Sequence, residues 1–220
     1  MKKITALGMV CTVALLAGCS DPKAANEDNF KKVLNTHYEK NCVALSWMDF
    51  SNSHPGYPVS IKLETPTMFR GPEGTAEANE KKLAPYEALV SAGLLKGEDG
   101  QVKSDGLFAD SKDTPAPGRI YSLTEEGKKA YQSPGNTFCA GHYTVENIER
   151  FTPPSDSPMG KLSSVVYTYG PDGEIADWAK NPAIQKTFPD FAAKLTPHQH
   201  GHEELLLTNK GWMPARDFQK

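Results

Sequence analysis

The sequence predicts an α+β fold, a helical part followed by a small antiparallel sheet packed with helices. Three observations predict it. Apolar residues recur at helical spacing early in the chain, and two short strand-like runs flank a polar segment in the middle. Beyond Ser133 the character changes to Val-, Tyr- and Thr-rich stretches of strand length.

The first segment precedes the fold. Lys2 and Lys3 form a charged start, Ile4 to Leu16 is an apolar run of 13 residues, and small residues lead into Cys19. That layout is a secretory signal peptide, and the run falls short of the ~20 residues of a membrane-spanning helix. Ser20 to Glu27 is a polar tether that reaches ~28 Å if fully extended. Phe30, Val33, Leu34, His37 and Tyr38 then follow at i, i+3, i+4, i+7, i+8, the spacing of an amphipathic helix with Asp28 as N-cap. It ends near Cys42. Residues 43–63 read as extended, interrupted by a turn from Asn52 to Pro58.

Pro85 suits the first turn of a second helix, with Tyr86, Leu89 and Val90 on its apolar face and Gly93 as its stop. Leu94 and Leu95 begin a strand, Ile120 to Leu123 returns as its partner, and Thr124 caps a helix carrying Glu125 and Glu126 in its first turn. Ser133-Pro134-Gly135-Asn136 marks a boundary between residues 28–132 and an α+β unit at 133–220. In that unit Thr137 to Phe151 and Leu162 to Tyr169 are strands, joined through Pro153 to Pro158. Gly170 to Gly173 is a turn. Asn181 caps a helix opening on Pro182, with Ile184, Phe188, Phe191 and Leu195 on its core face. Glu203 to Thr208 is the last strand.

Leu16-Ala17-Gly18-Cys19 resembles the lipobox of bacterial lipoprotein precursors. The resemblance implies diacylation of the Cys19 thiol, cleavage after residue 18, and a mature chain that starts with the lipidated cysteine and its tether at 19–27. In Gram-negative lipoproteins of this type an aspartate directly after the cysteine favours the inner membrane. Here that position is Ser20, so the resemblance implies the outer membrane, periplasmic face. The leader holds two of the 24 basic residues and none of the 27 acidic ones, so the mature chain carries 22 against 27, a net of −5. No basic patch invites nucleic acid, and the membrane is reached through the lipid on Cys19 alone. Cys11 leaves with the leader, so Cys42 and Cys139 remain as a candidate disulfide in an oxidising compartment. It would enclose 96 residues and contribute up to about 4.7 kcal/mol on the chain-entropy model.

Residues 83–131, "ALVSAGLL…IYSLTEEGKKAY", resemble the recognition helix, wing and following helix of winged-helix proteins. The usual implication is DNA binding. Here the wing from Lys96 to Arg119 holds Glu98, Asp99, Asp105, Asp110 and Asp113 against four basic residues, which is the wrong balance for phosphate. The expectation is a winged-helix-like scaffold without nucleic acid.

His198, His200 and His202 are candidate metal ligands. Alternate positions project to one face of an extended segment, imidazole suits zinc, copper or nickel, and Glu203 and Glu204 stand ready to complete a shell. The competing reading is a solvated connection between a helix and a strand, marked by Pro197 and Gly201. Cys139 and His142 fail as a nucleophile and base, because three positions apart in a strand they face opposite ways. No catalytic or cofactor fingerprint occurs. Trp47, Tyr57, Trp178 and Trp212 read as core, with a binding groove as the alternative. The expected function is a non-catalytic envelope accessory or binding protein at the outer membrane, taking an envelope component or an envelope or secreted protein as partner. The alternative is a periplasmic inhibitor, of the immunity type, against a toxin or hydrolase.

Overall fold

The computed structural model describes residues 21–46, 56–103, 114–132 and 137–218. The leader, Cys19, Trp47 and the Ser133–Asn136 boundary lie outside them. The expected α+β class is observed.

The first helix, α1 (Glu27–Lys40), is capped by Asn26, whose side chain accepts from the Asn29 N–H at 2.9 Å. Asp28 sits inside the first turn with Glu27, where both charges complement the positive helix end. The segment before it is no free tether. The Asn29 amide donates to the carbonyls of Asp21 and Ala24 at 2.8 Å, and the Trp212 indole N–H lies 3.2 Å from the carbonyls of Lys23 and Ala24. The chain is therefore held on the body from Asp21 onward.

After β1 (Ala44–Leu45) and β2 (Val59–Lys62) comes α2 (Pro72–Ser91). Pro72 occupies its first turn, so Pro85 lies in the helix interior and not at its start. An interior proline removes one helix hydrogen bond, which packing of Tyr86, Ala88 and Leu89 outweighs. Gly93, at φ +78°, ends the helix as expected.

The strands β3 (Leu95–Val102) and β4 (Ala116–Leu123) pair antiparallel from Leu95↔Leu123 to Val102↔Ala116, and β2 joins the far side of β4. Thr124 caps α3 (Glu125–Ala130) by accepting from the Gly127 N–H at 2.9 Å. A Cβ on Gly127 would fall 2.0 Å from the Leu94 carbonyl oxygen, so glycine is what lets α3 sit against the start of β3.

A three-stranded sheet follows, in which β6 (Thr137–Cys139) lies between β1 and β5 (Tyr131–Gln132). The large sheet has β7 (Tyr143–Phe151), β9 (Gly160–Pro171), β10 (Gln199–Thr208) and β11 (Gly211–Pro214) in the order β11-β10-β9-β7, with the short β8 (Ser155–Ser157) beside β9. Between β9 and β10 stand a 3-10 turn (Asp177–Lys180), α4 (Pro182–Thr187) and α5 (Pro189–Lys194). A second 3-10 turn, Ala215–Asp217, follows β11.

Three expectations change here. The run from Thr137 to Phe151 is two strands in two sheets, parted at Gly141, whose φ is +146° and where a Cβ would meet Ile175 at 2.8 Å. The helix after Asn181 is two helices. Pro189 has no N–H to continue the ladder, and it holds Phe188 outside the helical region at φ −123°, ψ 68°. The last long strand starts at Gln199, so His200 and His202 are strand residues and not part of a loose connection, while His198, at φ +56°, lies just before it.

Two hydrophobic clusters hold the fold. One gathers Leu45, Ile61, Leu89, Leu94, Tyr121 and Phe138 with Trp178, Ile184 and Phe191. The other joins Phe30 and Leu34 of α1 to Val145, Val165, Leu205 and Trp212. Both draw on each side of residue 133, so packing does not divide the chain into 28–132 and 133–220. The first helix packs with the C-terminal sheet, and α4 packs with α2. Among the described residues no helix is long and apolar enough to cross a membrane.

Candidate functional site

The face of the large sheet that α1 covers carries a cleft of about 390 Å³. His37 and Tyr38 come from α1 and Asn41 from its C-cap, Tyr143 from β7, Tyr167 and Tyr169 from β9, Gly201 and Glu203 from β10, and Arg216 from the last 3-10 turn. The register explains the convergence. Gly201 pairs with Tyr167 and Glu203 with Val165, so Gly201, Glu203 and Leu205 alternate on the inner face while His200 and His202 point away. Gly201 has a steric role. A Cβ there would lie 2.4 Å from the Tyr167 ring, which occupies the space that a side chain would need.

The tyrosines form a continuous wall. Tyr38 stacks on Tyr169 with ring centroids 5.3 Å apart and meets the edge of Tyr143 at 5.5 Å. The Tyr38 and Tyr167 hydroxyls share a hydrogen bond of 2.9 Å. Burial first, then this contact, pushes the Tyr38 phenol far above its ordinary value, and burial raises Tyr167 as well. The phenols therefore stay protonated and act as hydrogen-bond partners.

A charged network closes one end. Glu203 keeps only 8% of its side chain exposed and faces Arg216 Nη2 at 2.5 Å, whereas the Arg216 side chain is 52% exposed. The same guanidinium nitrogen donates to His37 Nε2 at 3.2 Å. Because guanidinium cannot accept, that contact requires the tautomer with hydrogen on Nδ1, which donates to Asp217 Oδ2 at 2.8 Å. Burial raises the Glu203 carboxyl above its usual range, against the opposing pull of Arg216 and His37.

The two cysteines meet beside this cleft, which Cys42 lines. Ala44 pairs with Cys139, and then Ala140 and Gly141 together face Val43, since the Ala140 N–H donates to Val43 O at 2.9 Å and the Val43 N–H to Gly141 O at 2.8 Å. That bulge leaves Cys42, two residues from Ala44, on the Cys139 side. Both are half-buried free thiols. Burial, then the Cys139 thiol, pushes Cys42 up to about 12.

His200 and His202 stand on the outer face of β10, His198 lies just before the strand, and the three do not converge. His198, at φ +56°, precedes β10, and the rings of His200 and His202 are held along the strand by separate neighbours. Each is turned to its own partner. His198 Nδ1 donates to Glu146 at 2.7 Å, His200 Nδ1 contacts Glu149 at 3.1 Å, and His202 Nε2 meets Ser164 Oγ at 2.6 Å and Glu204 at 3.6 Å. Glu146 and Glu149 are the extra residues of two bulges in β7, which turn them toward β10. Among the described residues no group of three histidine, cysteine or carboxylate side chains is placed to hold a metal, which corrects the metal-ligand expectation for His198, His200 and His202. Trp178 and Trp212 are buried in the core clusters, and Tyr57 packs half-buried against the first.

Sequence reasoning placed His37 and Tyr38 on the apolar face of the first helix and left Arg216 and Asp217 unmarked. A histidine on that face, where a hydrophobe would pack, was the available signal. Comparison with known families, with characterised proteins and with solved structures returns no match.

Gly201→Ala displaces the Tyr167 ring and breaks its contact with Tyr38, at a cost of about 1–3 kcal/mol in urea unfolding; unchanged stability would show that the ring has room to move. The Glu203 network responds to pH. Its folded value is raised, so its contribution is complete below the ordinary glutamate range and lost as pH rises through the raised value. Arg216→Ala leaves the carboxylate buried without its cation and costs about 1–3 kcal/mol near neutral pH. The loss shrinks toward about pH 4, where the carboxyl is protonated. Adding Glu203→Gln to that variant removes the dependence, and a pH-independent loss in Arg216→Ala alone would disprove it.

Proposed function

We propose that this chain is a lipoprotein anchored through Cys19 to the outer membrane, facing the periplasm, and that it works there as a non-catalytic binding protein with the tyrosine-lined cleft as its contact. The observation that carries the reading is the junction of the leader with the body. A lipobox-like Leu16-Ala17-Gly18-Cys19 stands two residues before the point where the chain is held on the fold at Asp21. Two residues span at most ~7 Å, so an acyl anchor on Cys19 keeps the body against the bilayer surface. Two acyl chains make such an anchor lasting where one binds reversibly.

The chemistry of the cleft supports binding. It offers protonated phenols, an amide and an Arg216 side chain open on one side, while the one thiol in its lining is held protonated and is a poor nucleophile. Rigid tyrosines supply contact area at low entropic cost, as in protein interfaces generally.

The unit of β2, α2, β3 and β4 supports the winged-helix-like reading of the middle segment. It runs strand, helix, hairpin, with β4 central in the order β2-β4-β3. Its one wing arginine is occupied. Arg119 donates to Glu87 at 2.9 Å and Asp99 at 3.1 Å, and Lys96 faces Glu98 at 3.3 Å. These pairings favour a scaffold role over phosphate contact.

The proximity of Cys42 and Cys139 supports a disulfide in the proposed compartment, each thiol giving up a proton and an electron to a thiol oxidant as the S–S bond forms.

A fatty-acid analogue supplied to cells should label the protein, and Cys19→Ser should abolish both the label and its sedimentation with membranes. A serine variant that still pellets would end the anchored reading. Protein taken from the envelope should show no alkylation at Cys42 or Cys139 until it is reduced. Replacing the pair by serines should cost about 2–5 kcal/mol; two alkylated cysteines in the native protein would remove the bridge.

A further inference from the structure

On the side that carries the N-terminal segment lies a second hollow, separate from the cleft's tyrosine wall. This groove of about 320 Å³ runs between α1 and β11, with Pro22 among its lining residues. That is within the size range of small-molecule sites. Val33 of α1 and Trp212, Met213 and Pro214 of β11 make it apolar. Lys32, Lys40 and Lys210 surround it, all three exposed and none with an acidic partner among the described residues. The acidic side chain in the lining, Asp217, is turned to His37. A mature chain of net charge −5 thus gathers three uncompensated positive charges around one apolar slot.

We propose that this groove seats an anionic phospholipid of the membrane to which the chain is tethered, with an acyl segment against Val33, Trp212 and Met213 and the phosphate among the three lysines. The location rests on the anchored reading above. Cys19 stands three residues before Pro22, ~11 Å of extended chain at most, so the acyl anchor and the groove meet the same surface. Charge selects the lipid. A lysine close to an anionic bilayer strengthens binding by about fivefold, and the attraction fades within a Debye length. A neutral lipid satisfies the walls and leaves the lysines without a partner.

Protein beginning at Ser20 contains every described element and both hydrophobic clusters, and it lacks the acyl chains, so it reports on the groove alone. It is sedimented with vesicles of phosphatidylcholine, and with vesicles of phosphatidylcholine mixed with phosphatidylglycerol. Binding is expected only to the mixed vesicles, weakened about fivefold by each of Lys32→Ala, Lys40→Ala and Lys210→Ala and further by salt. Met213→Asp, which keeps the lysines and alters the wall, also weakens binding, whereas Lys186→Ala on α4 does not. Equal binding to both vesicles, no binding to either, or lysine variants that bind like the parent would overturn the proposal. So would a Met213→Asp protein with full affinity, which would mean surface adsorption without a groove, or a soluble dimer that covers this face. Loss of the Cys19 label in cells alongside intact vesicle binding would end the anchored reading and leave the groove standing.

Discussion

The seating of α1 across the large sheet is the contact on which the rest of the molecule depends. Phe30, fully buried, places its ring against Phe151 and Trp212, each edge-on with centroids 5.0 Å apart. Burying Phe30 and Leu34 contributes about 1.5–3 kcal/mol apiece. Two polar contacts set the position along the sheet. Asn35 accepts from the Val145 N–H at 2.8 Å, and Lys31 donates to the Glu146 carbonyl at 2.8 Å. With the helix so placed, its one flank closes the tyrosine cleft and its other forms the lysine-rimmed groove. The N-terminal segment follows, drawn onto Trp212.

The two faces of the sheet differ because β7 breaks register twice. A regular strand would alternate its side chains without exception, yet the bulges at Glu146 and Glu149 each add a residue and turn a carboxylate outward. Those carboxylates meet His198 and His200 across β9. On the inner face Ser163 and Glu203 are the buried polar side chains, and Glu203 is covered by a guanidinium whose own side chain stays half exposed. A buried carboxylate is tolerated here because Arg216 reaches it from the chain's last turn, and because Gly201 leaves room for the Tyr167 ring beside it.

Much of the fold was legible in the residues. Helical spacing from Phe30 to Tyr38 located α1, Thr124 with Glu125 and Glu126 located α3, and Asn181-Pro182 located the start of α4. Local chemistry specifies such features: Thr124 and Asn181 cap where expected, whereas α1 starts under Asn26, two residues before the expected cap at Asp28. Pro85 misled because a proline fits both a first turn and an interior, and only tertiary packing decides between them. Pro189 carried the signal for the split helix, although the apolar spacing of Ile184, Phe188 and Phe191 ran straight through it. The histidine stretch showed its period-two geometry, but its pairing partner is Tyr167-Thr168-Tyr169, and no local rule supplies register. The cleft was the least legible part. It joins His37 to Glu203, Arg216 and Asp217, which meet only when a helix near one end of the chain packs on strands near the other.

That last separation has a consequence in time. Phe30 is buried by Trp212, and a ribosome working at about 5–20 residues per second needs roughly 10–40 s to add the residues between them. For that interval the apolar stripe of α1 exists without the surface that covers it. A helix of this length is marginal in water by itself. Helix α1 is therefore made long before β11, and Phe30 and Leu34 find their full cover only when Trp212 arrives.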